Sequence, residues 1–123
     1  MALKKSIVAV DDSRIVLQTL ESMLNDKYEF RGFTKAARGL NYMMQFPPSL
    51  IILDIDMPEV DGYVMLEMIR ENVELRDIPV IFLTSNNDKN YVIKAVKYGA
   101  DDYVVKPIDK ETLMNKIEVL LSK

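Results

Sequence analysis

The sequence predicts an α/β fold, a doubly wound parallel sheet of (βα)5 plan, and three observations carry that prediction. Short apolar runs alternate with longer segments of helical spacing. Capping or turn residues mark many of the changeovers, and the runs differ from one another as central and edge strands differ. Strands that alternate with helices in this way imply crossover connections and a sheet covered on both faces.

The first strand is Ile7-Val8-Ala9-Val10. Ser13 stands at the N-cap of the first helix, whose apolar positions Val16, Leu20, Met23 and Leu24 recur at three and four residues. Tyr28-Glu29-Phe30-Arg31-Gly32-Phe33 alternates apolar and polar residues, the pattern of an edge strand. Ala36, Leu40, Met43 and Met44 mark the second helix, and Pro48 precedes the third strand, Leu50-Ile51-Ile52-Leu53. Asp61 caps a third helix carrying Met65, Met68 and Ile69, and Pro79 precedes Val80-Ile81-Phe82-Leu83. Asp88 caps the fourth helix, with Val92, Ala95 and Val96 on its apolar side, and Gly99 stops it. The short fifth strand, Tyr103-Val104-Val105, is followed by Asp109 as cap and by Leu113, Ile117, Leu120 and Leu121 on a fifth helix. Strands one, three and four are continuously apolar and therefore central. With right-handed crossovers the simplest order is 2-1-3-4-5, the flavodoxin-like arrangement. In such a sheet ligands bind outside the carboxyl ends of the strands where the winding reverses, here between the first and third strands.

Composition narrows the chemistry. A chain of 123 residues is one domain's worth, expected to span residues 1–123. Its 49% apolar content fills a single core, and its net charge of −3 argues against direct nucleic-acid contact. With no Cys and no His, disulfides, thiol nucleophiles, imidazole bases and phosphohistidine are excluded, which leaves carboxylate, hydroxyl, amine and backbone chemistry. No apolar run approaches the roughly 20 residues of a membrane span, so a cytoplasmic protein without membrane insertion is expected.

Polar residues collect at the predicted crevice. The first strand runs into Asp11-Asp12 and the third into Asp54-Ile55-Asp56. Two like charges about 4 Å apart repel by about 4 kcal/mol at an effective dielectric near 20. A hard divalent cation offsets that repulsion, and Mg2+ takes one or two carboxylates together with water and phosphate oxygens. The fourth strand ends in Thr84-Ser85 and the fifth in Lys106-Pro107, where a cis peptide would aim the lysine inward. A hydroxyl and an ammonium beside a carboxylate-bound cation are suitable donors to a phosphoryl group. Taken singly, the acid pair also reads as a helix cap, the threonine as a cap and the lysine as a solvated side chain. Their coincidence at neighbouring strand ends favours a site.

These residues resemble the receiver domains of bacterial two-component response regulators, of the single-domain chemotaxis type. The resemblance spans nearly the whole chain and rests on Asp11-Asp12, Leu53-Asp54-Ile55-Asp56-Met57-Pro58-Glu59-Val60-Asp61-Gly62, Thr84 and Lys106-Pro107, in that order. It implies that Asp54 accepts a phosphoryl group from the phosphohistidine of a partner kinase or phosphotransfer protein. It also implies that Asp12 and Asp54 ligate Mg2+ directly, Asp11 largely through water, and Asp56 through its backbone carbonyl. By the same resemblance Lys106 pairs with the carboxylate and then the phosphoryl group, and Thr84 donates to a phosphoryl oxygen. Tyr103, three residues before the lysine, takes the place of the family's switching aromatic, and its plain alternative is an edge-strand tyrosine with a wet hydroxyl. Asp56 and Asn86, two residues beyond the acceptor and the threonine, sit where the family tunes phosphoryl lifetime. Ser85 departs from the small residue usual after the threonine. The readout surface implied is the fourth helix, fifth strand and fifth helix, including Tyr91, Lys94, Tyr98 and Tyr103, for a downstream protein target.

Two other functions fit part of the pattern. Asp54-Ile55-Asp56 also suits an aspartate-nucleophile phosphohydrolase resembling the haloacid dehalogenases. Motif order opposes it, because the acid pair comes first here, Pro58 replaces the expected Thr or Val, and a cap domain has no room. A receiver fold kept as an unphosphorylated scaffold usually loses an acid or the lysine, and this chain keeps them all. The end of the chain one helix after Lys106 fits either a stand-alone regulator or the receiver of a longer protein.

Overall fold

The computed structural model describes residues 4–55, 57, 61–85 and 89–123. Five strands and five helices alternate: β1 (Ser6–Val10), α1 (Arg14–Leu24), β2 (Glu29–Phe33), α2 (Ala36–Gln45), β3 (Leu50–Asp54), α3 (Gly62–Glu71), β4 (Val80–Thr84), α4 (Lys89–Lys97), β5 (Asp102–Val105) and α5 (Lys110–Leu121). All strand pairs are parallel and the order is β2-β1-β3-β4-β5, as the sequence predicts. None of the helices is long and apolar enough to cross a membrane, among the described residues.

The pleat sends alternate strand residues into two cores. Ile7, Ala9, Ile52, Ile81, Leu83 and Val104 meet Leu17, Leu20 and Leu24 of α1 and Leu113 and Ile117 of α5. On the opposite face Val8, Val10, Ile51, Leu53 and Phe82 meet Met43 of α2, Tyr63, Met65, Leu66 and Ile69 of α3, and Ala95 of α4. β3 and β4 are buried along their whole length, while β2 is exposed or half-buried throughout, which is the distinction between central and edge strands.

Ser13, Asp61 and Asp109 cap α1, α3 and α5 by accepting from Val16, Tyr63 and Thr112 N–H, and Gly99 ends α4 with φ +98°. Several expectations need correction. Tyr28 precedes β2; its N–H donates to Leu24 O and finishes the turn after α1. β5 begins one residue earlier, at Asp102. Met44, Met68 and Val96, placed on apolar helix faces by their spacing, are substantially exposed because they lie at the margins of those stripes. Leu75, in the turn before β4 and outside any periodic segment, is fully buried. Asp88, Asp56 and Asn86, and the side chains of Tyr91 and Val92, lie outside the described residues.

Candidate functional site

The site forms where four strands end. Asp11 N–H donates to Phe33 O at 3.0 Å, which carries the β1–β2 ladder one residue past Val10 and fixes the Asp11 backbone at the sheet's edge. Its Oδ1 accepts from Ser13 N–H at 2.9 Å, so one side chain both turns the chain toward α1 and faces the crevice. Asp54 closes β3 and is buried at 3% exposure; the next residue, Ile55, donates its N–H to Leu83 O and accepts from Gly62 N–H at 3.0 Å. Thr84 closes β4, also buried, and its carbonyl accepts from Lys106 N–H at 2.7 Å. The Lys106-Pro107 peptide is cis.

Four of the expected residues converge. Carboxylate oxygens of Asp11, Asp12 and Asp54 lie within 4.8 Å of one another, two of these side chains buried and Asp12 exposed. Lys106 Nζ stands 3.0 Å from Asp11 Oδ2 and 3.4 Å from Asp54 Oδ1. Burial opposes the charge on Lys106, but Asp11 and Asp54 outweigh it and hold the ammonium above its ordinary pKa. Asp11 is fully buried, and Lys106 Nζ is the cation that meets its Oδ2. Among the described residues, three carboxylates therefore face one ammonium. Hard oxygen donors and excess negative charge are what Mg2+ accommodates. Thr84 ends the strand beside Asp54 and thus borders the same crevice.

Tyr103 is half-buried on β5 opposite Phe82 and packs against the core on the α2, α3 and α4 side. Lys116 of α5 lies 4.5 Å from its ring centroid and donates to Tyr103 O at 2.6 Å and to Asp102 Oδ1 at 3.0 Å. Lys94 of α4 lies over the rings of Tyr63 and Tyr98, and Tyr63 meets Phe82 edge-on. Lys116 and Tyr63 escaped sequence reasoning, since each contact joins elements distant in sequence. Gly62 is the most consequential omission. A Cβ there would lie 2.5 Å from Asp54 O and 2.8 Å from Ile55 Cα, so only glycine lets α3 start against the Asp54 peptide. The signal was present in the Asp61-Gly62 pair, a cap followed by the one residue without a side chain.

The doubly wound parallel sheet, with an acid cluster where its winding reverses, is the architecture of receiver domains. The model of the response regulator receiver domain matches residues 7–118, and the chain belongs to that family. A two-component response regulator of Arabidopsis thaliana, ARR12, is 38% identical over 89% of this chain and 18% of its own length. Response regulator Rre1 of Synechocystis is 32% identical over 100% of the chain and 54% of its own. The chain thus spans about half or less of these relatives. The receiver domain of a signal transduction histidine kinase from Syntrophus aciditrophicus superposes with TM-score 0.86 at 32% identity, covering 96% of this chain and 90% of that one. Chemotaxis protein CheY4 of Vibrio cholerae superposes at 0.90 with 24% identity over 96% and 99% of the two chains, a likeness of fold. Receivers are signalling domains, and response regulators interact with histidine kinases and downstream targets. The matched family is the receiver's, and the haloacid-dehalogenase reading falls with it.

Proposed function

We propose that residues 1–123 act as a phospho-acceptor switch in the cytoplasm, with Asp54 as the acceptor. The observation that supports this best is the convergence of three carboxylates on the Lys106 ammonium, the one cation that meets them among the described residues. A cluster built for stability alone would balance its charges.

In this reading an Asp54 carboxylate oxygen forms a bond to phosphorus while the donor's P–N bond breaks, and the leaving imidazole on the partner kinase or phosphotransfer protein takes up a proton. The chain has no His, so the donor is another molecule. Asp12, Asp54 and Asp11, with the backbone carbonyl of Asp56, would hold Mg2+. When bound there, the cation neutralises charge between carboxylates and phosphoryl oxygens. Lys106 exchanges a carboxylate partner for a phosphoryl one, and Thr84 donates its hydroxyl to a phosphoryl oxygen. The group added carries a charge of about −1.5 to −2, enough to bias a two-state element. Tyr103 belongs to that element, with the α4, β5 and α5 face as the surface a downstream protein reads. Asp56 and Asn86 tune how long the phosphoryl group survives.

Acetyl phosphate with Mg2+ should add one base- and hydroxylamine-labile phosphoryl group, read by intact mass, and Asp54→Ala should abolish it. Failure of the wild type to gain that mass would return the chain to the scaffold reading. Lys106→Ala should keep Mg2+ binding and lose the response of the α4, β5 and α5 face to beryllofluoride, read by amide NMR shifts.

A further inference from the structure

A second surface feature lies on the other side of α1 from the sheet's centre, where α1, β2 and the start of α2 enclose an open groove of about 570 Å3. Its floor is apolar, made by Leu17, Gly32 and Phe33, and its rim is cationic, made by Arg14, Lys35 and Arg38. None of the groove's lining residues is acidic, in a chain whose net charge is −3. Arg14 and Arg38 are both exposed and neither is held in a salt bridge among the described residues. The amino end of α2 also opens beside the groove, with no acidic residue in its first turn and no side-chain cap from its N-cap, Lys35. Gly32 keeps the floor open. A Cβ there would come within 3.1 Å of Leu17 and 3.3 Å of the Phe30 ring, standing between the rims.

We propose that this groove docks an acidic segment of a partner protein, one that sets an apolar side chain on the Leu17, Gly32 and Phe33 floor and carboxylates against Arg14 and Arg38. Charge complementarity commits the occupant's sign, and the apolar floor distinguishes a peptide from a purely phosphate-bearing polymer. The volume lies within the range of built ligand sites and accommodates a few side chains. The groove shares no residue with the acid cluster or with the α4, β5 and α5 face, so the inference does not rest on phosphoryl transfer.

The test is fluorescence anisotropy with a short labelled peptide of glutamates interrupted by two leucines one helical turn apart, measured on the full chain at low and physiological salt. Binding should weaken about tenfold in Arg14→Glu/Arg38→Glu, consistent with two surface charge pairs changed from attraction to repulsion. It should persist in Arg14→Lys/Arg38→Lys and be unchanged in Asp54→Asn, which separates this idea from the acceptor's role. Replacing the two leucines by serine should also weaken it. Equal binding to wild type and the charge-reversed protein, or equal binding of the serine peptide or a single-stranded oligonucleotide of the same charge, would overturn the proposal. A thermal melt of each variant checks folding, and the lysine pair is the control that stays informative if charge reversal destabilises the chain.

Discussion

The two ends of the sheet hold the same ingredients, a long cation and aspartates, and combine them in opposite ways. At the amino ends of β4 and β5, Arg70 donates to Arg76 O and Ile78 O at 3.0 and 2.8 Å and to Gly99 O and Asp101 Oδ2 at 2.9 and 3.0 Å. Asp101 Oδ2 also accepts from Val80 N–H at 2.8 Å. One cation meets one carboxylate, and both are surrounded by partners. At the carboxyl ends, Lys106 meets Asp11 and Asp54, with Asp12 close by. The first arrangement fastens three segments; the second leaves negative charge in surplus, which costs stability unless something else supplies cations. Similar residue types thus fasten segments where charges balance and leave negative charge in surplus where they do not.

The largest effect expected is at the carboxyl end but concerns backbone rather than charge. Gly62→Ala forces α3 away from Asp54 O and should cost on the order of 3 kcal/mol, read by urea denaturation. Mg2+ should recover little of it if the acceptor's peptide has moved. Next comes Arg70→Ala, which removes four hydrogen bonds, one of them to an Asp101 oxygen that keeps Val80 N–H, and should cost about 2 kcal/mol, with no change in Mg2+ affinity. A drop in Mg2+ affinity there would show that the two ends are not independent.

Asp12→Asn should act the other way: without metal it should gain about 1 kcal/mol by removing one of three like charges. The wild type should in turn gain about 1.4 kcal/mol from Mg2+ at ten times its dissociation constant, and the variant should lose most of that gain. A metal-free Asp12→Asn less stable than wild type would remove the surplus-charge comparison. The smallest effect concerns pH. Because the Lys106 pKa is raised in the fold, its ion pairs contribute fully below its ordinary value of 10.5 and fade as pH rises through the raised one. The stability difference between wild type and Lys106→Met, without metal, should therefore narrow only above about pH 10.5.

Much of this could be read from the sequence because the relevant signals are local. β1 and β3 announce themselves as unbroken apolar runs that end on aspartates, and strand order then brings Asp11, Asp54, Thr84 and Lys106 to one edge. Ser13, Asp61 and Asp109 cap as expected since a cap needs only its own helix. Arg70 was illegible: its partners lie up to 31 residues away, and an arginine near a helix end is ordinary on its face. Leu75 was missed because a buried leucine in a turn has no period to betray it. The α1, β2 and α2 groove escaped for a related reason, as Arg14 and Arg38 become neighbours only when two helices and a strand assemble.

The Arg70 clasp bears on how motion would travel. It grips the stretch that follows α4, through Gly99 and Asp101, while the opposite tip of α4 lies on the Thr84 side of the molecule. With that end held, a displacement that begins near Thr84 would turn the helix about its Gly99 end, like an oar in its rowlock. Lys94 and Tyr98, riding close to that pivot, would then travel less than the Lys89 end of the helix.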